Sequence, residues 1–119
     1  MTIGTLPLMK IHLFNERMEI FLTTLEKPTI AKMLRTLDLL EMFGNKLGMP
    51  HSKSLQHGLF ELRIRGAQEV RVIYTFHKNT IVLLYGFVKK TNKISKKDFE
   101  VALKNKKRLD ESITHTLYS

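Results

Sequence analysis

The sequence predicts an α+β domain: a small antiparallel, twisted sheet with an αα-hairpin near the N-terminus packed on one face, and a short C-terminal helix. Three observations predict it. Leu59–Arg65, Val70–His77 and Thr80–Val88 are runs rich in β-branched, aromatic and aliphatic residues, separated by turn-type residues. Two stretches before residue 44 carry apolar residues at helical spacing. A third helical pattern begins at Ser95, after the last strand. This is a layered arrangement with the helices on one side of a small twisted sheet, and at 119 residues it reads as a single domain, 1–119.

Taken in order, Met9–Phe14 reads as a first strand. Asn15 is a suitable N-cap for the helix that follows, with Glu16 in its first turn. Met18, Phe21, Leu22 and Leu25 give that helix one apolar face. Pro28 fits the first position of a second helix. Ile30, Met33, Leu34, Leu37 and Leu40 form its stripe, and Gly44 is its stop. Stripes of this kind mark core rather than a cofactor site. Gly44–Lys53 reads as a loop, broken by Gly48, Pro50 and Ser52. In the first long strand Phe60, Leu62 and Ile64 point to one face, with Glu61, Arg63 and Arg65 on the other. The third run, IVLLYGFV after Thr80, is nearly continuous hydrocarbon, which suits a strand covered on both faces. Asn79 marks the turn between the last two strands. Ser95 opens the final helix with Asp98 at the fourth position, an imperfect capping box. Phe99, Ala102 and Leu103 face inward, and Lys96, Lys97, Lys104, Lys106, Lys107 and Arg108 face out. Residues 1–8 and 110–119 read as loose ends, and Met9 is a candidate start.

The register of Arg71 is a geometric test. A four-residue turn over Gly66–Glu69 puts it in the core beside Ile64; one residue more or fewer puts it beside Arg63 and Arg65. An unpaired arginine is costly to bury, so the basic face is the expected place.

Composition narrows the function classes. Twenty Lys and Arg against eleven Asp and Glu give a formal net charge of +9, with the basic residues concentrated late in the chain. Such a surface favours polyanions, although a basic surface also serves solubility alone. Cys is absent, so disulfides and thiolate zinc sites are excluded, and the composition suits a reducing cytoplasmic setting. No run approaches the roughly 18 apolar residues of a membrane span. His12, His51, His77 and His115 show no ligand spacing, so no metal and no cofactor is expected.

The candidates for chemistry are Arg63, Arg65, Arg71, Lys89 and Lys90, with His57 and, at the rim, Lys53. Clustered on a concave sheet face, they suit a phosphodiester. The planar arginine fork neutralises phosphate charge. A lysine crowded by cations has a lowered pKa and can take a proton. Histidine is the usual acid or base near neutrality. Each has a plainer reading: Arg63 paired with Glu61 or Glu69, Arg71 in a structural ion pair, Arg65, Lys89 and Lys90 as solvated surface, His57 as an ordinary loop residue. Tyr74 and Tyr85 alternate with core residues and read as packed.

The order and spacing of GLFELRI, VRVIY and GFVKKT, preceded by FLTTLEKPTIAKMLRTLDLLEMFGNKLGMPHSKSL, resemble the phage-derived, HigB-type branch of the RelE/ParE toxin superfamily over about Phe21 to Leu103. The resemblance implies a RelE-like fold. It also implies the toxin of a type II toxin–antitoxin system, an endoribonuclease cleaving mRNA on the ribosome. By the same resemblance Arg71 matches the family's arginine in VRVIY, Arg63 a basic residue in the preceding strand, and Lys90 a basic residue after the last core strand. These three are the implied catalytic set. Lys53, His57, Arg65, Lys89 and Phe99 are then RNA contacts. The chain departs from some relatives by placing Phe99 where they carry a late tyrosine; phenylalanine stacks on a base but moves no proton. The implied partners are a helix-turn-helix, HigA-like antitoxin, the ribosome with its mRNA, and operator DNA through the antitoxin only, with no membrane. A ParE-like gyrase inhibitor and an inactive nucleic-acid-binding module are the alternatives on the same fold.

Overall fold

Five strands and three helices make up the computed structural model, which describes residues 8–90 and 93–118, with side chains to residue 111. The elements run β1 (Lys10–Leu13), α1 (Glu16–Thr23), α2 (Lys27–Phe43), a 3₁₀ turn at Gly44–Lys46, β2 (Ser52–Ser54), β3 (Phe60–Ile64), β4 (Val70–His77), β5 (Thr80–Val88) and α3 (Lys96–Tyr118). The sheet order is β1-β5-β4-β3-β2. β2 to β5 are antiparallel neighbours, and β1 joins the far edge parallel to β5. The fold is therefore mixed α+β, and the sheet is not wholly antiparallel as expected.

Local signals set most boundaries. Asn15 Oδ1 accepts from the Met18 amide at 3.1 Å, capping α1. Pro28 lies in the first turn of α2, and Gly44 ends it at φ 53°. Lys78 and Asn79 both adopt positive φ, 47° and 63°, as a two-residue turn with right-handed twist requires. At α3 the Asp98 amide donates to Ser95 Oγ at 3.0 Å, while Ser95 Oγ donates to Asp98 Oδ2 at 2.8 Å.

β1 precedes the αα-hairpin, in the order expected. Three further expectations are corrected. The expected loop contains a short strand, β2, whose Ser52 hydroxyl bonds the Tyr74 hydroxyl at 2.6 Å; three polar residues carry no strand signal. The last helix is not short, since helical backbone continues to Tyr118 through a stretch expected to be a loose end. Residues 1–7 of the other expected loose end lie outside the described residues. Finally, the helices do not share one face. Met18, Leu25, Met33 and Leu40 of the α1–α2 half pack on Leu62, Ile64, Val70, Val72, Ile81 and Leu83. Ala102, Phe99 and Leu103 of α3 pack on Leu59, Ile73, Val82 and Leu84, on the opposite face. The near-continuous hydrocarbon of β5 has its cause here: both of its faces are covered.

The register between β4 and β5 slips between Ile73 and Tyr74, so Leu84 is an extra residue in β5. This bulge lets Leu84 and Tyr85 both serve the α3 side. Asn105 of α3, 9% exposed, donates from Nδ2 to the Leu84 carbonyl at 2.9 Å. Among the described residues no helix is long and apolar enough to cross a membrane.

Candidate functional site

On the α3 side of the sheet, the ends of β3, β4 and β5 extend past the area where α3 packs. Arg63 and Arg71 are direct cross-strand partners, and Arg71 in turn pairs with Phe87. The five-residue connection Arg65–Glu69 gives this register, so Arg71 lies beside Arg63 and away from the Ile64 face, as expected. The next row is Lys53, Glu61, Ile73 and Tyr85. At the strand ends the Lys89 amide donates to the Glu69 carbonyl at 2.7 Å, which continues the ladder one step beyond β5.

Glu61 lies between the two arginines. Its Oε1 is 3.6 Å from Nε of Arg63 and 3.6 Å from Nε of Arg71. Glu61 is 6% exposed and Arg71 only 1%, so the charges are held largely out of water. Arg71 also reaches Glu69 Oε2 from Nη2 at 3.2 Å and donates from Nη1 to the Val70 carbonyl at 3.0 Å. Neither Nε makes a hydrogen bond, although both are buried. Counted with Glu69, two guanidiniums and two carboxylates balance, and Lys89 and Lys53 make the centre net positive, with both arginine Nε groups unused, an arrangement suited to a further anion. Burial lowers the Arg71 pKa; Glu61 and Glu69 oppose this and Arg63 adds to it.

Lys89 is half-buried. Burial pulls its ammonium down from the ordinary lysine value, the positive charges of Arg71 and Arg63 pull it further, and Glu61 opposes them. A lysine that gives up its proton more easily than its surface neighbours is a candidate proton acceptor. Tyr85 donates to Asp98 Oδ1 at 2.8 Å, tying the start of α3 to the row behind the arginines. Burial, helped by that carboxylate, pushes its phenol up to about 12, so it stays protonated through the neutral range.

The structure thus brings together Arg63, Arg71, Lys89 and Lys53, the last exposed and opposite Glu61. Arg65 is exposed at the start of the β3–β4 connection, and Lys90, also exposed, follows Lys89 past the end of β5. His57, on the loop before β3 at the opposite end of that strand from Arg63, pairs with Phe99 of α3, ring centroids 6.2 Å apart. His57 holds a left-handed φ of 62°. Two members of the site were not singled out in the sequence. Glu61 read only as a surface partner for Arg63, although its alternation with Arg63 placed it on the right face. Tyr85 read as packed, because its place beside the site depends on the bulge at Leu84. No group of three or more His, Asp or Glu able to hold a metal occurs among the described residues.

A comparison with curated proteins finds no match. A family model described as Phage derived protein Gp49-like (DUF891) matches residues 20–107, from α1 through most of the described part of α3, and so includes every residue of the basic centre. The chain therefore belongs to the Gp49-like family of phage-derived proteins, which is a RelE/toxin-like family.

Proposed function

We propose that the chain is the toxin of a type II toxin–antitoxin module, of the HigB-type branch, with a RelE-like fold, and that it cleaves mRNA on the ribosome. The observation that carries this reading is the Arg63–Arg71 cross-strand pair bridged by Glu61, with Lys89 beside it. Cleavage of RNA by its own 2′-hydroxyl needs no external nucleophile and no cofactor. The hydroxyl oxygen attacks phosphorus, the bond to the 5′-oxygen breaks as that oxygen takes up a proton from water, and a 2′,3′-cyclic phosphate remains. Lys89, its pKa lowered by burial and by the neighbouring arginines, takes the hydroxyl proton. Arg63 meets the charge growing on the phosphate, and buried Arg71 raises the positive field behind it. Lys53 and Arg65 hold the flanking backbone. Lys89 takes the role in the catalytic set that resemblance alone gave to Lys90. A helix-turn-helix, HigA-like antitoxin covers the basic face and carries operator DNA binding, and the ribosome supplies the substrate in a cytoplasmic setting.

A specific observation favours a second reading. Arg71 is 1% exposed and faces two carboxylates, as a structural ion pair would be. The same fold would then serve a ParE-like gyrase inhibitor or an inactive nucleic-acid-binding module. The test is induced expression without a partner gene, with growth and mRNA 5′-ends followed together. Growth arrest with new cuts inside translated codons, both lost in Arg63→Ala and Lys89→Met, is the expected result. Arrest without cuts moves the reading to a gyrase-type target. Normal growth removes the toxin reading.

A further inference from the structure

A second cluster of cations lies around the edge of the sheet from Glu61. Beyond β2, the end of β3 has no strand outside it, and α2 passes alongside. Between them is a cavity of about 390 Å³, within the range of small-ligand sites, roughly 300–1,000 Å³. Its floor is apolar: Leu39, Pro50 and Ile64. Its walls carry Lys32, Arg35, Arg63 and Arg65. None of the described residues lining it is acidic. Lys32, Arg35 and Leu39 come from one shoulder of α2, at spacings that stack them on one side of the helix. Lys32 Nζ donates to the Arg65 carbonyl, which ties α2 to the end of β3. Arg63 belongs to both places: its Nε faces Glu61, while its Nη1 reaches Met49 Sδ at 3.5 Å, on the loop before β2.

An apolar floor inside a ring of four cations, with no carboxylate among the described lining residues and Glu61 facing Arg63 from outside it, is complementary to a ligand with a flat apolar body and an anionic arm. We propose that this cavity is a nucleotide subsite: it receives one base of single-stranded RNA against Leu39, Pro50 and Ile64, while Lys32, Arg35 and Arg65 hold the adjoining phosphates. Arg63 then links the subsite to the basic centre, so that a strand bending around the sheet edge occupies both. This rests on the reading of the basic centre as an RNA site and adds a second, separate contact to it.

The test uses the full chain and a fluorescent six-nucleotide RNA bearing 2′-O-methyl groups throughout, which cannot be cut by its own hydroxyls. Binding is followed by anisotropy across a salt series. Arg35 is exposed on α2, so Arg35→Ala leaves the core untouched. The expected result is a loss of about five- to tenfold in affinity and a fall of about one in the slope of log K against log salt, the mark of one lost phosphate contact. The same sugar–phosphate chain without bases should bind the wild type more weakly and show a smaller effect of Arg35→Ala. If Arg35→Ala keeps wild-type affinity and slope while Lys53→Ala loses affinity, the cavity proposal fails and the basic centre stands. If Arg35→Ala weakens both ligands equally, the cavity holds bare phosphate and no base, and the nucleotide subsite is refuted. If the wild type binds neither ligand, both readings fall.

Discussion

Replacing Glu61 by Gln removes the charge between two arginines and keeps the side chain's shape. Both Nε atoms lie 3.6 Å from the same carboxylate oxygen, so they are no more than about 7 Å apart. At an effective dielectric near 20, two unit charges at that separation repel by about 2.4 kcal/mol. In the native chain Glu61 offsets this; in the variant nothing does. Removing one partner of a buried ion pair costs about 3–5 kcal/mol. Here Glu69, at 3.2 Å, still holds Arg71, and the amide oxygen of Gln still accepts, so about 2–3 kcal/mol is expected. For a chain of this length that is a fall in Tm of roughly 8–12 °C. Thermal and urea unfolding of wild type, Glu61→Gln, Arg71→Met and the double variant form the assay. Arg71→Met removes the repulsion, so the double variant should be more stable than the two single effects predict, by about 1–2 kcal/mol. A Tm within about 2 °C of wild type for Glu61→Gln, or strict additivity in the cycle, would refute the bridging role.

Three further predictions concern single positions. Lys89 should titrate below the exposed lysines when followed by NMR of methylated lysines; Arg71→Met should move it back up and Glu61→Gln further down, and a Lys89 indistinguishable from its neighbours would remove it as proton acceptor. The Tyr85 phenol is raised to about 12 from the ordinary value near 10: its contribution to stability is complete below about pH 10 and is lost as pH rises toward 12. Spectrophotometric titration near 295 nm should therefore show a late phase that shrinks by one tyrosine in Tyr85→Phe, leaving Tyr74, whose phenol burial also raises. Part of that phase shifts to lower pH in Asp98→Asn. A Cβ added at Gly86 would lie 2.6 Å from Phe21 Cδ2, so Gly86→Ala should destabilise by about 1–3 kcal/mol, with part of the loss recovered when Phe21 is shortened to Leu.

The strand pattern of the fold was legible wherever one residue type reports its own environment. β4 and β5 have the predicted limits, because a run of Val, Ile, Tyr and Leu packed on two sides has few other uses. Asn15, Gly44 and the Ser95–Asp98 pair marked helix ends for the same local reason. β2 was not legible: Ser52–Ser54 form a strand only because β3 lies next to them, and three polar residues state nothing about a neighbour. Nor was the side on which α3 packs, since an inward stripe of Phe99, Ala102 and Leu103 fits either face of the sheet.

For the site the division is sharper. Arg71 beside Arg63 followed from a cost argument: the core face had no partner for a charge, and the five-residue connection supplied the alternative. Glu61 illustrates what that argument omits. Alternation placed it with the arginines but left it on an exposed surface, where a carboxylate between two cations contributes little. Under a sheet end that leaves it 6% exposed, the same three residues form a coupled unit, and removal of Glu61 leaves the two arginines facing each other uncompensated. Arg71 is thereby held where solvent scarcely reaches it. Its electrostatic influence falls on Arg63 and Lys89, which are less deeply buried. Of two adjacent lysines in the same GFVKK run, Lys89 is half-buried and Lys90 exposed, and the Lys89 ammonium lies below the ordinary lysine value. Burial and the neighbouring arginines, neither visible in the lysine's own identity, account for that shift.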